Sequence, residues 1–551
     1  MKFLNLAIMY MILLFFLSLF SFMFMIYLNL YYIDWNLSFN YFLMNSNLID
    51  LYYLFDWLNF LIVSIVFFVT FFIYTYILYY MNMDMFYYLF LKVVFIFVIS
   101  MIMFLFMVNM FSCIFGWDGL GLTSYILIIY YNNVKSLNSG MYTLMLNRLG
   151  DFFILVSLGG FLIYGSVNFF CFVNLKFNFI FLLLIFIIIS SITKSAQFPF
   201  SSWLPKAMLA PTPVSSLVHS STLVVAGVYL IMRFDSLILL FDLKVYIMYI
   251  SLLTGFISSY LMFMEYDLKK LVAMTTLIQL SFMFISLSLG CMYQSLLHLL
   301  LHAMYKSSLF MSSGYLIFLG FGNQDMRFLM GSFLNCYMFK NSFFILNLSS
   351  MGFPFLGGFY SKDMMLGMFY MSELNIFYIL MFIFIVFFTF LGTFRMYYYM
   401  MNLNIILIYT KFSMFILSFV IYFSCMMVIL FSYFYFWFFD DYELVFVNFY
   451  LKFILIYFMM ISLFIYLISL LSNMSSYLYL MFNYLFFDDF YTNGFYFIFY
   501  SYFYYYLLFL DSILNYMIYK NFIDLFNNLI YNLSYVTMSL LIVCMFWFVL
   551  L

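Results

Sequence analysis

Nine ionisable side chains stand inside stretches that are otherwise continuously apolar: Asp118, Arg148, Asp151, Lys194, His219, His298, His302, Lys306 and Lys362. An ionisable group in a bilayer core costs at least about 2.5–3.5 kcal/mol and marks function by default. His298, His302 and Lys306 follow one another at i, i+4 and i+8 in HLLLHAMYKSSLF, one stripe of a helix about 12 Å long. A His-x-x-x-His pair can hold zinc, but a metalloprotease needs Glu after the first His. Leu299 stands there and no carboxylate is near, so the stripe reads as a relay for protons. Arg148 and Asp151 are three apart and share a helix face, where they neutralise each other; a structural ion pair near a helix end is the bland alternative. His219 reads either as a satisfied core histidine or as a relay group following Lys194. A buried lysine holds or releases a proton according to whether a carboxylate stands beside it. Lys194, Lys306 and Lys362, with histidines between them, give a row of such sites. No Ser–His–Asp set, phosphate loop or dinucleotide fingerprint accompanies them, so the chemistry is proton movement.

The elements that carry these groups are membrane helices. The chain has 551 residues, 69% hydrophobic and 7% charged, with 19 basic and 20 acidic side chains. A soluble domain carries about a quarter charged residues, so a soluble enzyme is excluded. Runs such as FLLLIFIIIS lack the alternation of a transmembrane barrel. The fold class expected is an all-α polytopic membrane protein of fifteen or sixteen spans. Residues 5–30 read as the first of these rather than as a signal peptide, being too long and lacking a small-x-small cleavage site. The net charge of −1 argues against nucleic acid. Cys113, Cys171, Cys291, Cys336, Cys425 and Cys544 are scattered without Cys-x-x-Cys spacing, so they suggest neither an iron–sulfur nor a zinc motif, nor a disulfide framework. Phe, Tyr and Met abound (86, 55 and 47), whereas Pro occurs five times, a bias resembling AT-rich coding. Against that background a scarce residue stands where physics needs it.

The prolines mark two breaks. Pro199 in SSITKSAQFPFSSWLP and Pro354 in MGFPFLGGFYSKD each interrupt a span, with serines or glycines able to serve the freed backbone. A lysine stands beside each (Lys194 and Lys362, the latter followed by Asp363). Broken helices in two halves of a transporter point to its ion path; a simple proline kink is the alternative. Residues 488–530, opening on Asp488–Asp489 and interrupted by Asp511, Lys520 and Asp524, are too polar for a span and read as a surface helix.

TKSAQFPFSSWLPKAMLAPTPVSSLVHSSTLVVAGVYLIMR, GWDGLGLTSYILIIYY, NRLGD, HLLLHAMYKSSLFMSSG and GFPFLGGFYSKD resemble, in that order, motifs of a known family. It is that of the large antiporter-like membrane subunits of respiratory complex I and of multisubunit cation/proton antiporters. The resemblance covers roughly 110–400. It implies N-terminal helices over 1–110, inverted five-helix repeats over 111–265 and 266–400, and further spans over 401–487. A lateral helix over 488–530 and a last span over 531–551 complete the implied organisation. It further implies Asp118 as acidic partner of Lys194, and His219 leading on to Lys306. His298 and His302 would relay that link, Lys362 and Asp363 face an exit, and Arg148 and Asp151 modulate Asp118. Many relatives carry Glu where Asp118 stands, so contact with Lys194 needs a water or a closer helix approach.

In complex I, NADH, FMN, iron–sulfur clusters and ubiquinone belong to partner subunits, so this chain is expected to hold no cofactor or metal. Other membrane-arm subunits, including neighbouring antiporter-like ones, and lipids would be its partners, in the mitochondrial inner membrane. Two other readings use the same residues: the large subunit of a stand-alone sodium/proton antiporter, and a structural anchor strapping neighbours together through 488–530. The buried lysines argue against an anchor alone.

Overall fold

The computed structural model describes residues 2–44, 47–82, 84–107, 109–163, 178–329, 337–371, 376–401, 413–439 and 454–472. The expected surface helix (488–530) and last span (531–551) lie outside these residues. Helix α1 (Lys2–Tyr31) is followed by a two-stranded hairpin, β1 (Trp35–Met44) and β2 (Asn47–Phe55), paired antiparallel with Trp35 opposite Phe55. The hairpin is an addition to the helical expectation. Its Tyr, Asn and Asp residues interrupt the apolar runs on either side, and extended pairing satisfies their backbone where no helix continues.

Then come α2 (Trp57–Tyr80), α3 (Tyr87–Phe106), α4 (Met110–Ile128), α5 (Val134–Ile163) and α6 (Asn178–Lys194). Two short pieces, α7 (Trp203–Ala207) and α8 (Thr212–Leu217), lead into a π-helix at Val218–Thr222 and α9 (Leu223–Arg233). Next are α10 (Asp235–Leu240), α11 (Lys244–Met264), α12 (Leu268–Ser288) and α13 (Met292–Leu319). A 3₁₀ turn at Met326–Phe328 precedes α14 (Tyr337–Met351), α15 (Gly357–Met371), α16 (Ile376–Met401), α17 (Ser413–Phe439) and α18 (Ile454–Ser472). Among the described residues ten helices are long and apolar enough to cross a membrane. The protein is a polytopic α-helical membrane protein.

Burial sorts the helices into layers. The apolar stretches of 212–233 and α12 are buried throughout, and α13 nearly so. Polar side chains lower the hydropathy of α13, which is surrounded by α2, α8, α12, α15 and α17 rather than by lipid. At the periphery α1 leans on α2 and turns Met9, Ile12, Phe16, Phe20 and Met23 outward. Such a face suits lipid tails.

Two membrane faces can be told apart. On one, the hairpin meets the start of α2, where Asp56 pairs with Arg233 at 2.7 Å. Arg233 also donates to Tyr229 and Asn59, and Tyr229 donates to Asn59 and to the Leu105 carbonyl. Trp57 stacks on Tyr293, which places the α12–α13 turn on this hairpin face too. On the opposite face the start of α12 pairs with the loop after α13, Leu268 N–H donating to Gln324 O and Met326 N–H to Tyr266 O.

Candidate functional site

Helix α6 ends at Lys194 because Pro199 lies ahead and cannot supply a helical N–H. The orphaned carbonyls are served locally. Trp203 Nε1 donates to Thr193 O at 2.9 Å, Gln197 N–H to Ile192 O at 3.0 Å and Ser195 N–H to Ser191 O at 2.9 Å. Lys194 is fully buried and turns away from its own helix end. Its Nζ donates to Trp117 O at 2.6 Å and lies 3.8 Å from the Trp117 ring centroid. Trp117 Nε1 in turn donates to Asp151 Oδ1 at 2.8 Å. Arg148 Nη1 sits 3.1 Å from Asp151 and 3.5 Å from Asp118.

Asp118 therefore pairs with Arg148 and makes no direct ion pair with Lys194. Both carboxylates remain within electrostatic range of that lysine. Trp117 is the intermediary, a role absent from the sequence expectation, although its place beside Asp118 in GWDG was a usable signal. The side chains of Arg148 and Asp118 are 43% and 37% exposed, so this cluster reaches the protein's outer surface at mid-helix.

His219 lies in the π-helix, a wide turn frequent at functional sites. Its hydroxyls feed the carbonyls at the end of α8, Thr222 Oγ1 donating to Leu217 O at 2.8 Å and Ser220 to Ser216 O. The His219 ring meets Trp203 edge-on at 6.1 Å, and neither ring nitrogen has a partner. The π-helix packs directly on α13.

On α13, Lys306 is fully buried and donates to Thr275 Oγ1 on α12. Both nitrogens of His302 and Nε2 of His298 lack partners, while His298 Nδ1 meets Ser361 Oγ at 2.7 Å. Ser361 precedes Lys362, so α13 and α15 touch beside Lys362. Helix α14 ends at Met351, where Gly352 takes φ +93° before Pro354. Lys362 Nζ donates to the freed carbonyls of Ser350 (2.7 Å) and Met351 (2.6 Å), and Gln279 Nε2 shares Ser350 O at 3.1 Å. Asp363 is half-buried on the same turn. Thr275, Gln279 and Ser361 carry no sequence signal that separates them from ordinary span residues.

Among the described residues no group of three or more His, Cys, Asp or Glu side chains gathers to hold a metal. The arrangement can hold and pass protons: three buried lysine side chains, each donating to neutral oxygens, with imidazoles between them.

A family model described as NADH:quinone oxidoreductase/Mrp antiporter, TM matches residues 107–375, which contain every site residue named above. Fold and site together thus define an antiporter-like membrane subunit. Among solved structures, the chain resembles one titled "Structure of Mrp complex from Dietzia sp. DQ12-45-1b". The TM-score is 0.65 at 20% identity, covering 83% of this chain and 53% of that one, a likeness of fold. The chain is 42% identical to NADH-ubiquinone oxidoreductase chain 5 of Locusta migratoria over 66% of its own length and 64% of the relative's. It is 40% identical to that of Anopheles arabiensis over 63% of its length and 90% of the relative's. For Caenorhabditis elegans the figures are 41%, 60% and 62%. The chain belongs to the NADH-ubiquinone oxidoreductase chain 5 family.

Proposed function

We propose that this chain is a proton-translocating membrane subunit of respiratory complex I in the mitochondrial inner membrane. Electron transfer from NADH through FMN and iron–sulfur clusters to ubiquinone then occurs in partner subunits. The observation that carries the reading is the trio of buried lysines. Lys194, Lys306 and Lys362 are each held by carbonyl or hydroxyl oxygens instead of a bound carboxylate, and two of them stand at helix breaks. A cation so placed keeps its proton only while its neutral partners stay put, and gives it up when a charge nearby moves.

In this reading Asp151 and Asp118, gripped by Arg148, set the charge seen by Lys194 through Trp117. His219 carries the proton toward α13, and His302 and His298 pass it from Lys306 to Ser361 and Lys362. Asp363 faces the exit, and the two breaks belong to two related halves. Relatives of this name and the motif order support the assignment.

Lys194→Met and Lys306→Met should each lower proton translocation coupled to NADH oxidation in the assembled complex by about 10²-fold, the low end for removing a proton-transfer group. Unchanged pumping stoichiometry in both variants overturns the proposal. The matching family model also spans Mrp antiporters. A chain that purifies without iron–sulfur subunits and exchanges sodium for protons without NADH belongs to that reading instead.

A further inference from the structure

Gln294 is the third residue of α13 and stands one helical turn before His298, on the stripe that continues through His302 to Lys306. It is 5% exposed, and neither its amide nitrogen nor its amide oxygen has a partner. We propose that Gln294 forms the mouth of a water-filled path running from Lys306 to the hairpin face of the membrane. The proposal rests on the proton-path reading above.

Buried polar atoms in folded proteins are almost always hydrogen-bonded, to protein or to ordered water. Along this side of α13 the unpartnered atoms come turn after turn: the Gln294 amide, His298 Nε2, both nitrogens of His302 and the Tyr305 hydroxyl. A buried amide with two donors and two acceptors is satisfied here by water, and a row of such groups by a file of water. The file spans about 18 Å from Lys306 to Gln294 at 1.5 Å per residue. Its outer end lies at the turn between α12 and α13, where Gly290 adopts φ +85° and Tyr293 stacks on Trp57. An amide holds water as donor and acceptor without trapping a proton, so Gln294 is a positioning residue for the file.

Two measurements on the assembled complex in membranes test this. In a Cys291→Ser background, Gln294→Cys should react with a positively charged methanethiosulfonate applied to the hairpin face and resist it from the other face. Leu296→Cys, buried off the stripe, should resist it from both. Gln294→Leu should slow acidification coupled to NADH oxidation by about tenfold, the size of one hydrogen bond withdrawn from a buried file, while Gln294→Asn stays near wild type. Refusal of the reagent at 294 from both faces, or wild-type acidification by an assembled Gln294→Leu complex, overturns the proposal. Should Gln294→Leu not assemble, labelling of the cysteine variant decides. Normal pumping by Lys194→Met and Lys306→Met refutes the underlying function whatever 294 does; their loss with a normal Gln294→Leu refutes only the mouth.

Discussion

The two helix breaks solve one problem in opposite ways. At the first, the carbonyls freed at the end of α6 are served by the Trp203 indole and by backbone turns, which leaves Lys194 able to reach across to α4. Beyond Trp117 lies a charged cluster, Asp151, Arg148 and Asp118, that opens to the outer surface. At the second break Lys362 itself serves the freed carbonyls, sitting on the negative end of the α14 dipole. No carboxylate pairs with it among the described residues, and its link onward is through Ser361 to His298. The first lysine is thus set by charges at the protein's edge, the second by the closure of its own helix break. In the function proposed above, a lysine governed from outside suits receipt of a signal, and one tied to backbone closure suits a gate.

Both breaks depend on a glycine lying against the end of the interrupted helix, and here the largest effects are expected. A Cβ on Gly358 would overlap the Ser349 carbonyl, and one on Gly227 would overlap Ser191 O. Backbone cannot step aside as a flexible side chain does, so Gly358→Ala and Gly227→Ala should each cost about 1–3 kcal/mol or more. The chain should then be depleted from assembled complex on native gels. A Gly358→Ala complex that assembles and pumps normally would show that the second break is not a tight closure.

Next in size is an asymmetry between the lysines. Lys362→Met leaves the Met351 carbonyl at the end of α14 short of a partner, while Ser350 O keeps Gln279, at about 1–3 kcal/mol for a buried unsatisfied group. Lys194→Met removes a bond to Trp117 O, which lies in mid-helix on α4 and so has an intrahelical partner as well. Lys362→Met should therefore lower both pumping and the thermal survival of assembled complex, whereas Lys194→Met lowers pumping with little loss of survival. Equal thermal losses would erase the distinction drawn above.

Trp117→Phe probes the first site more finely. The ring stays under Lys194 but the hydrogen bond to Asp151, worth about 1.5–3 kcal/mol for a charged acceptor, is gone. Pumping should fall in a complex that still assembles. The matching change at the second site, Phe282→Leu, removes only a distant ring, 5.5 Å from Lys362 Nζ, and should have a smaller effect. Reversal of that order would mean the indole is packing and nothing more.

The helices and their interruptions are legible in the sequence because apolar length and proline act locally. FLLLIFIIIS forms an apolar helix, and Pro199 and Pro354 each stand where no regular helix can continue. Partner choice is not legible, since it depends on which helices touch. Lys194 bonding to the Trp117 carbonyl and Lys306 to Thr275 are decided by packing across tens of residues, and Lys362 to Ser350 and Met351 by how the chain folds back across its own helix break. Asp118 illustrates the limit: its residue type announces a charge, but packing decides that Arg148, not Lys194, receives it. The hairpin was hidden for a similar reason, its strands pairing only because α1 and α2 bring them side by side.

The smallest expected effect lies at the membrane face opposite the hairpin, and it belongs to the second break's side of the molecule alone. There the start of α12 and the loop after α13 are latched by Asp267 and Asp325, flanked by Lys270 at 2.9 Å from Asp267 and Arg327 at 3.5 Å from Asp325. Partial burial opposes ionisation of Asp267 but is outweighed by hydrogen bonds from Lys270 and Asp325, so its carboxyl lies below the ordinary aspartate value. Asp325 lies above it, first because it donates to Asp267, then through desolvation and the Asp267 charge. The two carboxyls share one proton. Stability from Asp325 is present at low pH and is lost as pH rises through its raised value. Stability from Asp267 is present above the ordinary aspartate value and is lost as pH falls through its lowered one. The latch is firmest between those two values. Asp325→Asn supplies an N–H donor at every pH, so the loss on the alkaline side should vanish while the loss on the acid side remains. Amide exchange at Leu268 and Met326 in the intact complex reads this directly, since both N–H groups bridge the two loops. An alkaline limb that persists in Asp325→Asn would place the sensitivity outside this pair.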